Sequence, residues 1–266
     1  MKDLRIAVLI DADNVPYSNI KEMLEEIAIS GTPTIKRIYA DWTKPTVSGW
    51  KNVLLENAIT PIQQYSYTTG KNSSDSALII DAMDILYSDK VDGFCIVSSD
   101  SDFTRLAIRL REAGKHVIGI GEKKTPLPFI TACDKFIYIE ILKTLAPLAK
   151  TKANETPIKA ESTFLNKIDA ALLNLLTESV ANLADEHGWA FLGELGNFIL
   201  KKKTDFDSRN YGFPKLLPLI KSTGKFEVDE RKDANNKNIR HIYIKIVIFK
   251  CQTNLNIFII LTIKFD

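Results

Sequence analysis

The sequence has few residues of the kinds that bind zinc or form disulfides. It holds 3 cysteines and 3 histidines among 266 residues, and its cysteines form no CxxC pair. A Cys/His zinc site is therefore not expected, and Cys95, within an apolar run, is predicted to be a small buried residue. The scarcity of cysteine and the absence of a signal-peptide pattern near Met1 favour a cytoplasmic location.

The sequence also lacks a strong net charge and a long hydrophobic run. The formal net charge is only +2, so no global basic field indicates a nucleic-acid partner. Residues 1–145 hold 17 Lys/Arg and 19 Asp/Glu (net −2), and residues 146–266 hold 18 and 14 (net +4), which suggests different partners for the two halves. The apolar run at residues 251–263 is shorter than the roughly 20 residues of a membrane span, so no membrane partner is expected.

Predicted strands and helices alternate through the first 140 residues. Continuous apolar runs at residues 4–10 and 93–97 predict strands that are buried on both faces. Further strands are predicted at residues 35–39, 60–65, 116–120 and 136–139. Because helical patterns lie between them, the sequence predicts βαβ units and an α/β fold with a parallel sheet between two helical layers.

The second half of the chain has a different pattern. Residues 146–162 form a polar stretch without periodicity, which predicts a linker between a first domain at residues 1–145 and a second at 163–246. The second domain is predicted to begin with a long amphipathic helix over residues 164–184, with Ser162 as its N-cap and Ile168 on its apolar stripe. Two shorter helices and a strand pair follow, which predicts a small helical domain with a β-hairpin wing. The tail at residues 247–266 receives no function.

Carboxylates follow two of the predicted strands. Asp11 and Asp13 come directly after the first strand, Asp100 and Asp102 come after the fourth, and Asp75 begins a predicted helix. In open parallel sheets, ligands bind at the carboxyl ends of the strands. Taken alone, Asp75 and Asp102 are also explained as helix caps or first-turn acids. Several acids at one sheet edge, however, repel one another and require a cation to offset the repulsion.

The donor types indicate which cation is expected. Oxygen ligands without Cys or His are typical of Mg²⁺ or Mn²⁺, which bind phosphates and activate water for in-line attack. Five residues near the predicted site are candidate substrate contacts: Asn14, Ser99, Lys71, Lys123 and Lys124. Ordinary turn serines and solvated surface lysines explain several of them equally well.

Residues 4–140 resemble the NYN domain, a branch of the PIN-like nuclease superfamily. The resemblance rests on the motifs IDADN at residues 10–14, KNSSD at 71–75 with IDA at 80–82, and SSDSDF at 98–103. It implies a three-layer Rossmann-like fold and metal-dependent cleavage of RNA. By motif position it implies a metal site, and catalysis, at Asp11, Asp75, Asp100 and Asp102. Asn14 matches a family asparagine, Asp81 matches a motif position on a helix, and Asp13 is not assigned.

Residues 165–245 resemble the OST-HTH/LOTUS domain, a winged-helix module. The resemblance rests on GWA at residues 188–190, FDSRNYGF at 206–213 and KLL at 215–217, and it implies RNA binding. Basic residues supply a surface for phosphates, although a solvated face explains them equally well: Lys201, Lys202, Lys203, Arg209 and Lys215. The aromatic residues are expected in the core rather than stacked on bases: Trp189, Phe206, Tyr211 and Phe213.

Three functions fit these observations. The leading hypothesis is a metal-dependent ribonuclease whose winged helix binds RNA. A non-catalytic RNA-binding adaptor would be expected to have lost some of the acids, all of which are present. A phosphatase of haloacid-dehalogenase type also uses Asp-x-Asp after a first strand, but no clear Lys-bearing third motif follows. RNA is the expected partner, protein partners of the winged helix are an open alternative, and the oligomeric state is open.

Overall fold

The computed structural model describes residues 3–65, 73–143, 165–232 and 240–247. The predictions made for the linker at residues 146–162, for the tail beyond residue 247 and for Lys71 lie outside these ranges. Among the described residues, no helix has the length and apolar character needed to cross a membrane.

The first domain alternates strands and helices, as its sequence predicts. Its strands are β1 (Arg5–Asp11), β2 (Thr32–Ala40), β3 (Thr60–Gln63), β4 (Gly93–Val97), β5 (His116–Gly121) and β6 (Lys135–Tyr138). Its helices are α1 (Ile20–Ser30), α2 (Trp50–Asn57), α3 (Ser73–Ser88), α4 (Thr104–Glu112), α5 (Leu127–Ala132) and α6 (Ile139–Lys143).

The six strands form one sheet in the order β3-β2-β1-β4-β5-β6, and all five neighbouring pairs are parallel. Helices α1, α2 and α6 pack on one face of the sheet, and α3, α4 and α5 pack on the other. The predicted three-layer α/β fold is therefore confirmed. Because β1 and β4 are adjacent and parallel, their carboxyl ends lie side by side at one edge of the sheet.

The second domain combines helices with a small antiparallel sheet. Its elements are α7 (Ala170–Leu183), β7 (Trp189–Phe191), α8 (Leu192–Lys202), α9 (Leu216–Ser222), β8 (Phe226–Lys232) and β9 (Arg240–Ile246). The sheet has the order β7-β9-β8. One of its faces packs with the helices around a core that includes Leu176, Leu195 and Ile244. This architecture matches the predicted helical domain with a β-hairpin wing.

The predicted start of the long helix in this domain is wrong. Residues 165–169 are not helical, and α7 begins at Ala170. The carboxylate of Asp169 is the N-cap and accepts a hydrogen bond of 2.8 Å from Leu172 N, whereas the predicted cap, Ser162, lies outside the described residues. Ile168 is 40% exposed and precedes the helix. Asp and Ser are about equally favoured as N-caps, so N-cap preference alone does not decide between Ser162 and Asp169.

The second domain contacts the outer edge of the first. The segment after α8 lies against β6, where Phe136 N donates a hydrogen bond of 2.8 Å to the Thr204 carbonyl. The Thr204 hydroxyl donates to the Ile130 carbonyl at 2.9 Å, and the Tyr138 hydroxyl donates to Asp205 at 2.8 Å. An edge strand carries unpaired backbone groups, and these contacts use part of that edge of the sheet.

Candidate functional site

The first acid, Asp11, lies at the last position of β1 and is only 1% exposed. Its carboxylate accepts hydrogen bonds from Asn14 Nδ2 at 2.6 Å, from the Ser98 hydroxyl at 2.9 Å and from Asp13 N at 3.2 Å. Burial raises the pKa of Asp11, and the hydrogen bonds from Asn14 and Ser98 oppose this rise. The side chain is therefore held in one orientation at the junction of β1 and β4.

The acids after β4 are positioned by a 3₁₀ turn. Asp100 caps this turn, because its carboxylate accepts a hydrogen bond of 2.9 Å from Asp102 N. Asp100 N in turn donates to the Ser98 hydroxyl at 3.1 Å. Ser98 thus connects Asp11 to the Asp100 loop, and the fully buried hydroxyl is a positioning group.

The third part of the site is Asp75, in the first turn of α3. Carboxylate oxygens of Asp75, Asp100 and Asp102 all lie within 4.8 Å of one another. Burial, followed by the negative charges of Asp11, Asp100, Asp102 and Asp13, raises the pKa of Asp75 from 3.8 to about 6. A first-turn acid would ordinarily be favoured by the helix dipole. Burial and repulsion act against the ionised form of this first-turn acid.

The arrangement fits a divalent cation that prefers oxygen ligands. Three carboxylates converge, a fourth contributes its charge from β1, and neither Cys nor His is in the cluster. Such a donor set is typical of Mg²⁺ or Mn²⁺, and a cation there would offset the repulsion that raises the pKa of Asp75. Asp11 is not among the three converging carboxylates, so the four acids predicted as ligands divide into a triad and one neighbouring buried acid.

Two other acids of the predicted motifs are placed differently. Asp13 is exposed, and the Ser74 hydroxyl lies 3.5 Å from its carboxylate, so Asp13 adds negative charge beside α3. Asp81, on the same helix as Asp75, accepts hydrogen bonds from Arg37 and from the Tyr39 hydroxyl on β2. These bonds hold Asp81 in an ion pair on the sheet face, away from the carboxylate triad.

Ser99 joins two strand ends. It is 7% exposed, and its hydroxyl accepts a hydrogen bond of 2.8 Å from Glu122 N just after β5. Gly121 makes this approach possible, because an added Cβ would lie 2.6 Å from the Ser98 carbonyl oxygen. In this structure, therefore, Ser99 holds the end of β4 against the end of β5.

Two of the predicted substrate lysines, Lys123 and Lys124, lie close to acids. Lys123 N donates to Glu140 at 2.8 Å, and Lys123 Nζ donates to the Leu165 carbonyl at 2.7 Å. Lys124 Nζ lies 2.6 Å from Glu122 in an exposed ion pair. Both lysines follow β5 at the carboxyl edge of the sheet, as predicted, but both side chains already have partners within the chain.

Of the predicted RNA-binding residues, Arg209 has its guanidinium fully engaged. It makes ion pairs with Glu26 of α1 at 2.7 Å and with Asp207 at 2.6 Å. Lys202 lies 3.6 Å from Glu178 and packs over the Phe198 ring. The remaining three, Lys201, Lys203 and Lys215, are exposed or half-buried. Arg209 therefore contacts the first domain, and its charge faces protein.

The four aromatic residues that were expected in the core of the second domain divide into two groups. Phe206 and Tyr211 are buried in the core, as predicted, and Phe213 packs against it. Trp189 is instead half-buried on the outer face of the small sheet, below the side chains of Arg231 and Lys245. The expectation that Trp189 is a core residue is therefore wrong, because the three-residue strand β7, which the sequence analysis did not predict, directs it outward.

We expect the metal-free protein to become more stable as the pH falls from about 7 to about 5. The pKa of Asp75 in the folded state, about 6, lies above its ordinary value of 3.8, so the folded state binds the proton more tightly in this interval. Between one pH unit above that pKa and one below it, the gain is about 1.4 kcal/mol. Thermal unfolding in EDTA measures the effect. Asp75→Asn is the control and should remove the part of this rise that comes from Asp75, whereas a flat wild-type profile would contradict the expected burial of the charge.

Comparisons with known proteins agree with this architecture. A family model for the NYN domain matches residues 5–140, and one for the OST-HTH/LOTUS domain matches residues 163–237. No curated protein matches the chain.

Two solved structures are similar to parts of the chain. A protein of unknown function from Vibrio parahaemolyticus is 22% identical, with a TM-score of 0.44, over 52% of this chain and 96% of its own. An uncharacterized protein from Nitrosomonas europaea is 27% identical, with a TM-score of 0.30, over 37% of this chain and 92% of its own.

Because the NYN model matches slightly more than half of the residues, the chain belongs to the NYN domain family, with a PIN-like α/β core and an OST-HTH/LOTUS domain after it.

Proposed function

We propose that this protein is a metal-dependent ribonuclease that cleaves RNA phosphodiesters at the carboxyl edge of its parallel sheet. The observation that carries the proposal is the convergence of Asp75, Asp100 and Asp102 within 4.8 Å, beside the buried Asp11. The NYN domain is a nuclease-type fold, and the OST-HTH/LOTUS domain suggests RNA binding. Together they favour RNA over a small phosphate ester as the substrate.

The triad would hold Mg²⁺ or Mn²⁺, with Asp11 contributing a fourth charge from β1. When bound, the ion supplies Lewis acidity and a water of lowered pKa for attack on the phosphate. Asp11, Asp100 and their positioning groups Asn14 and Ser98 are fixed by hydrogen bonds before any substrate arrives. Such preorganisation means that little rearrangement is required during the reaction.

The other residues have supporting roles in this proposal. Lys71 would contact the phosphates of the strand near the cleaved bond, together with the loop of Ser99. Lys123 and Lys124 would do the same by exchanging their partners, the Leu165 carbonyl and Glu122, for phosphate oxygens. In the second domain, Lys201, Lys202, Lys203 and Lys215 would hold more distant phosphates, which makes binding weaker as salt rises. Arg209 would instead fix the second domain on the first, because its guanidinium is engaged by Glu26 and Asp207.

A phosphatase mechanism with an aspartyl nucleophile fits the geometry less well. In the Asp-x-Asp pattern after β1, the nucleophile would be Asp11. That side chain is 1% exposed, and its carboxylate accepts three hydrogen bonds. A nucleophile must reach the phosphorus atom of its substrate, and this carboxylate is buried and held in place.

The test is an assay on labelled single-stranded RNA with the full chain. We expect cleavage in Mn²⁺ that stops in EDTA and falls by about 100-fold or more in Asp100→Asn. The asparagine retains an oxygen that can accept the hydrogen bond from Asp102 N, so the loop is expected to keep its conformation. Cleavage that persists in EDTA, or that is equal in the variant, would refute the mechanism. RNA binding without any cleavage would support the alternative of a non-catalytic adaptor.

A further inference from the structure

A cavity of about 660 Å³ lies at the β3 edge of the first domain, between that strand and α2. Its wall is largely apolar and includes Leu54, Ile59, Pro61 and Trp42. The volume falls in the range of about 300–1,000 Å³ that is typical of small-molecule sites. The cavity lies outside the carboxylate site.

The aromatic wall of this cavity is fixed in position. Trp42 Nε1 donates a hydrogen bond of 2.9 Å to the Ile62 carbonyl, and Trp42 N donates to the Gln63 side chain at 3.0 Å. Gln63 Nε2 in turn donates to the buried Asp41 carboxylate at 3.1 Å. Trp42 is therefore anchored at its backbone and at its ring, so that its contribution to the cavity wall is fixed.

The charge of the cavity is of one sign. Among the described residues that line it, the titratable side chains are Lys44 and Lys51, and both are exposed. Lys44 lies in the loop after β2, and Lys51 lies in the first turn of α2. An apolar slot with an aromatic wall and cations at its rim is complementary to a nucleobase that carries a phosphate.

The cavity lies close to the carboxylate site along the sheet. Gln63 pairs with Ala40 on β2, and Tyr39 on β2 pairs with Asp11 on β1. Two strand spacings therefore separate Gln63 from Asp11, which is roughly 10 Å. The end of the cavity that is lined by Gln63 therefore lies toward the same edge of the sheet as Asp11.

We propose that this cavity binds one nucleotide of single-stranded RNA, with the base against Trp42 and the phosphate between Lys44 and Lys51. This inference rests on the proposed function, since it makes the cavity a subsite for the strand that the acids cleave. It assigns a role in substrate positioning to residues that belong to none of the recognised motifs.

The first test uses the unmodified protein. We measure its affinity for a set of short single-stranded RNAs in EDTA, each with one abasic position, by fluorescence anisotropy. Loss of a stacked base costs about 1–3 kcal/mol, or roughly 5- to 150-fold in affinity. We expect such a loss at one position of the scan, and a uniform response along the strand would overturn the proposal. Adenosine monophosphate is the comparison ligand, and affinity equal to that of RNA would overturn the assignment to a strand.

The second test uses variants with a matched control. Trp42→Ala should remove the position-dependent loss, and Lys51→Glu should weaken RNA binding by roughly 3- to 10-fold through the lost phosphate contact. Lys90→Glu makes the same charge change on an exposed residue just before β4, at the amino edge of the sheet, and should have less than a twofold effect. Equal effects of Lys51→Glu and Lys90→Glu would overturn the proposal.

The two proposals can fail separately. If RNA is bound with a Trp42-dependent position but is never cleaved, the ribonuclease proposal fails and the subsite remains. If RNA is cleaved in Mn²⁺ but Trp42→Ala and Lys51→Glu keep the wild-type KM, the subsite fails and the ribonuclease remains. Should Trp42→Ala not fold, Trp42→Leu serves instead, because it retains part of the buried apolar volume while removing the ring on which the base would stack.

Discussion

Asp75→Asn is expected to abolish RNA cleavage and, in the absence of metal, to stabilise the protein. Burial of the ionised Asp75, together with the charges of four other carboxylates, raises its pKa to about 6. A neutral amide of the same shape removes this repulsion, so we expect a gain of about 1–3 kcal/mol in the free energy of unfolding at neutral pH. The helix dipole opposes the gain by less than about 1 kcal/mol.

Activity and stability should therefore change in opposite directions. Cleavage should fall by about 100-fold or more, because the substitution removes one of three converging ligands. The rise in melting temperature that Mn²⁺ produces in the wild type should also disappear. RNA cleavage assays and thermal unfolding with Mn²⁺ or EDTA measure these effects on the same preparations. A loss of stability of Asp75→Asn in EDTA would contradict the prediction, because it would mean that the ionised carboxylate stabilises the fold.

Asp81→Asn is the matched control on the same helix. Asp81 forms an ion pair with Arg37 and accepts a hydrogen bond from the Tyr39 hydroxyl. Its neutralisation should lower stability by about 1–3 kcal/mol, since a partly buried cation loses its partner. Cleavage by the folded variant should stay close to wild type. Loss of activity in Asp81→Asn without loss of stability would mean that Asp81 acts in the site.

Arg209→Ala is expected to destabilise the protein by about 3–5 kcal/mol, which is the usual effect of breaking a buried ion pair. Glu26 is only 5% exposed, and the removal of Arg209 would leave it with Lys135, whose Nζ is 3.5 Å away. Burial alone would raise the pKa of Glu26, but Arg209 and Lys135 outweigh burial and hold that pKa below its ordinary value. Calorimetric unfolding measures the loss.

The two partners of this ion pair are expected to differ in how much stability is lost when each is replaced. Glu26→Ala should cost less than Arg209→Ala, because Arg209 would keep Asp207 as a bidentate partner. Adding Glu26→Ala to Arg209→Ala should recover part of the lost stability, since it removes the uncompensated carboxylate. Arg240→Ala removes an exposed pair with Glu230 and should cost less than about 1 kcal/mol. If Arg209→Ala and Arg240→Ala had equal effects, the pair between the domains would not be stabilising.

The central strands of the sheet could be predicted because the sequence patterns that indicate them are local. Strands β1 and β4 are buried on both faces, and such strands appear as continuous apolar runs. The acids that end these strands could be placed at one sheet edge from the βαβ pattern alone. Asp75 was a candidate because it begins a predicted helix, but only the motif resemblance implied its place in the metal site, because no local pattern links a residue of α3 to the ends of β1 and β4.

Short elements were missed because neighbouring elements determine them. Helix α5 has six residues and β7 has three, and isolated segments of that length are not stable without packing. The expected position of Trp189 depended on β7. Without this strand, Trp189 could not be assigned to the outer face of the small sheet.

The α/β class, the winged-helix domain and the acids at the ends of β1 and β4 could be predicted from sequence patterns and motifs. Which charges act together depends on the packing of distant segments. The tertiary structure separated Asp75 from Asp81 on one helix, and it paired Arg209 with Glu26 across 183 positions of the chain. It also formed the cavity beside Trp42 from α2, β3 and the loop after β2. The reason is physical: periodicity and capping act over a few residues, whereas the partner of a buried charge is fixed by packing between distant segments.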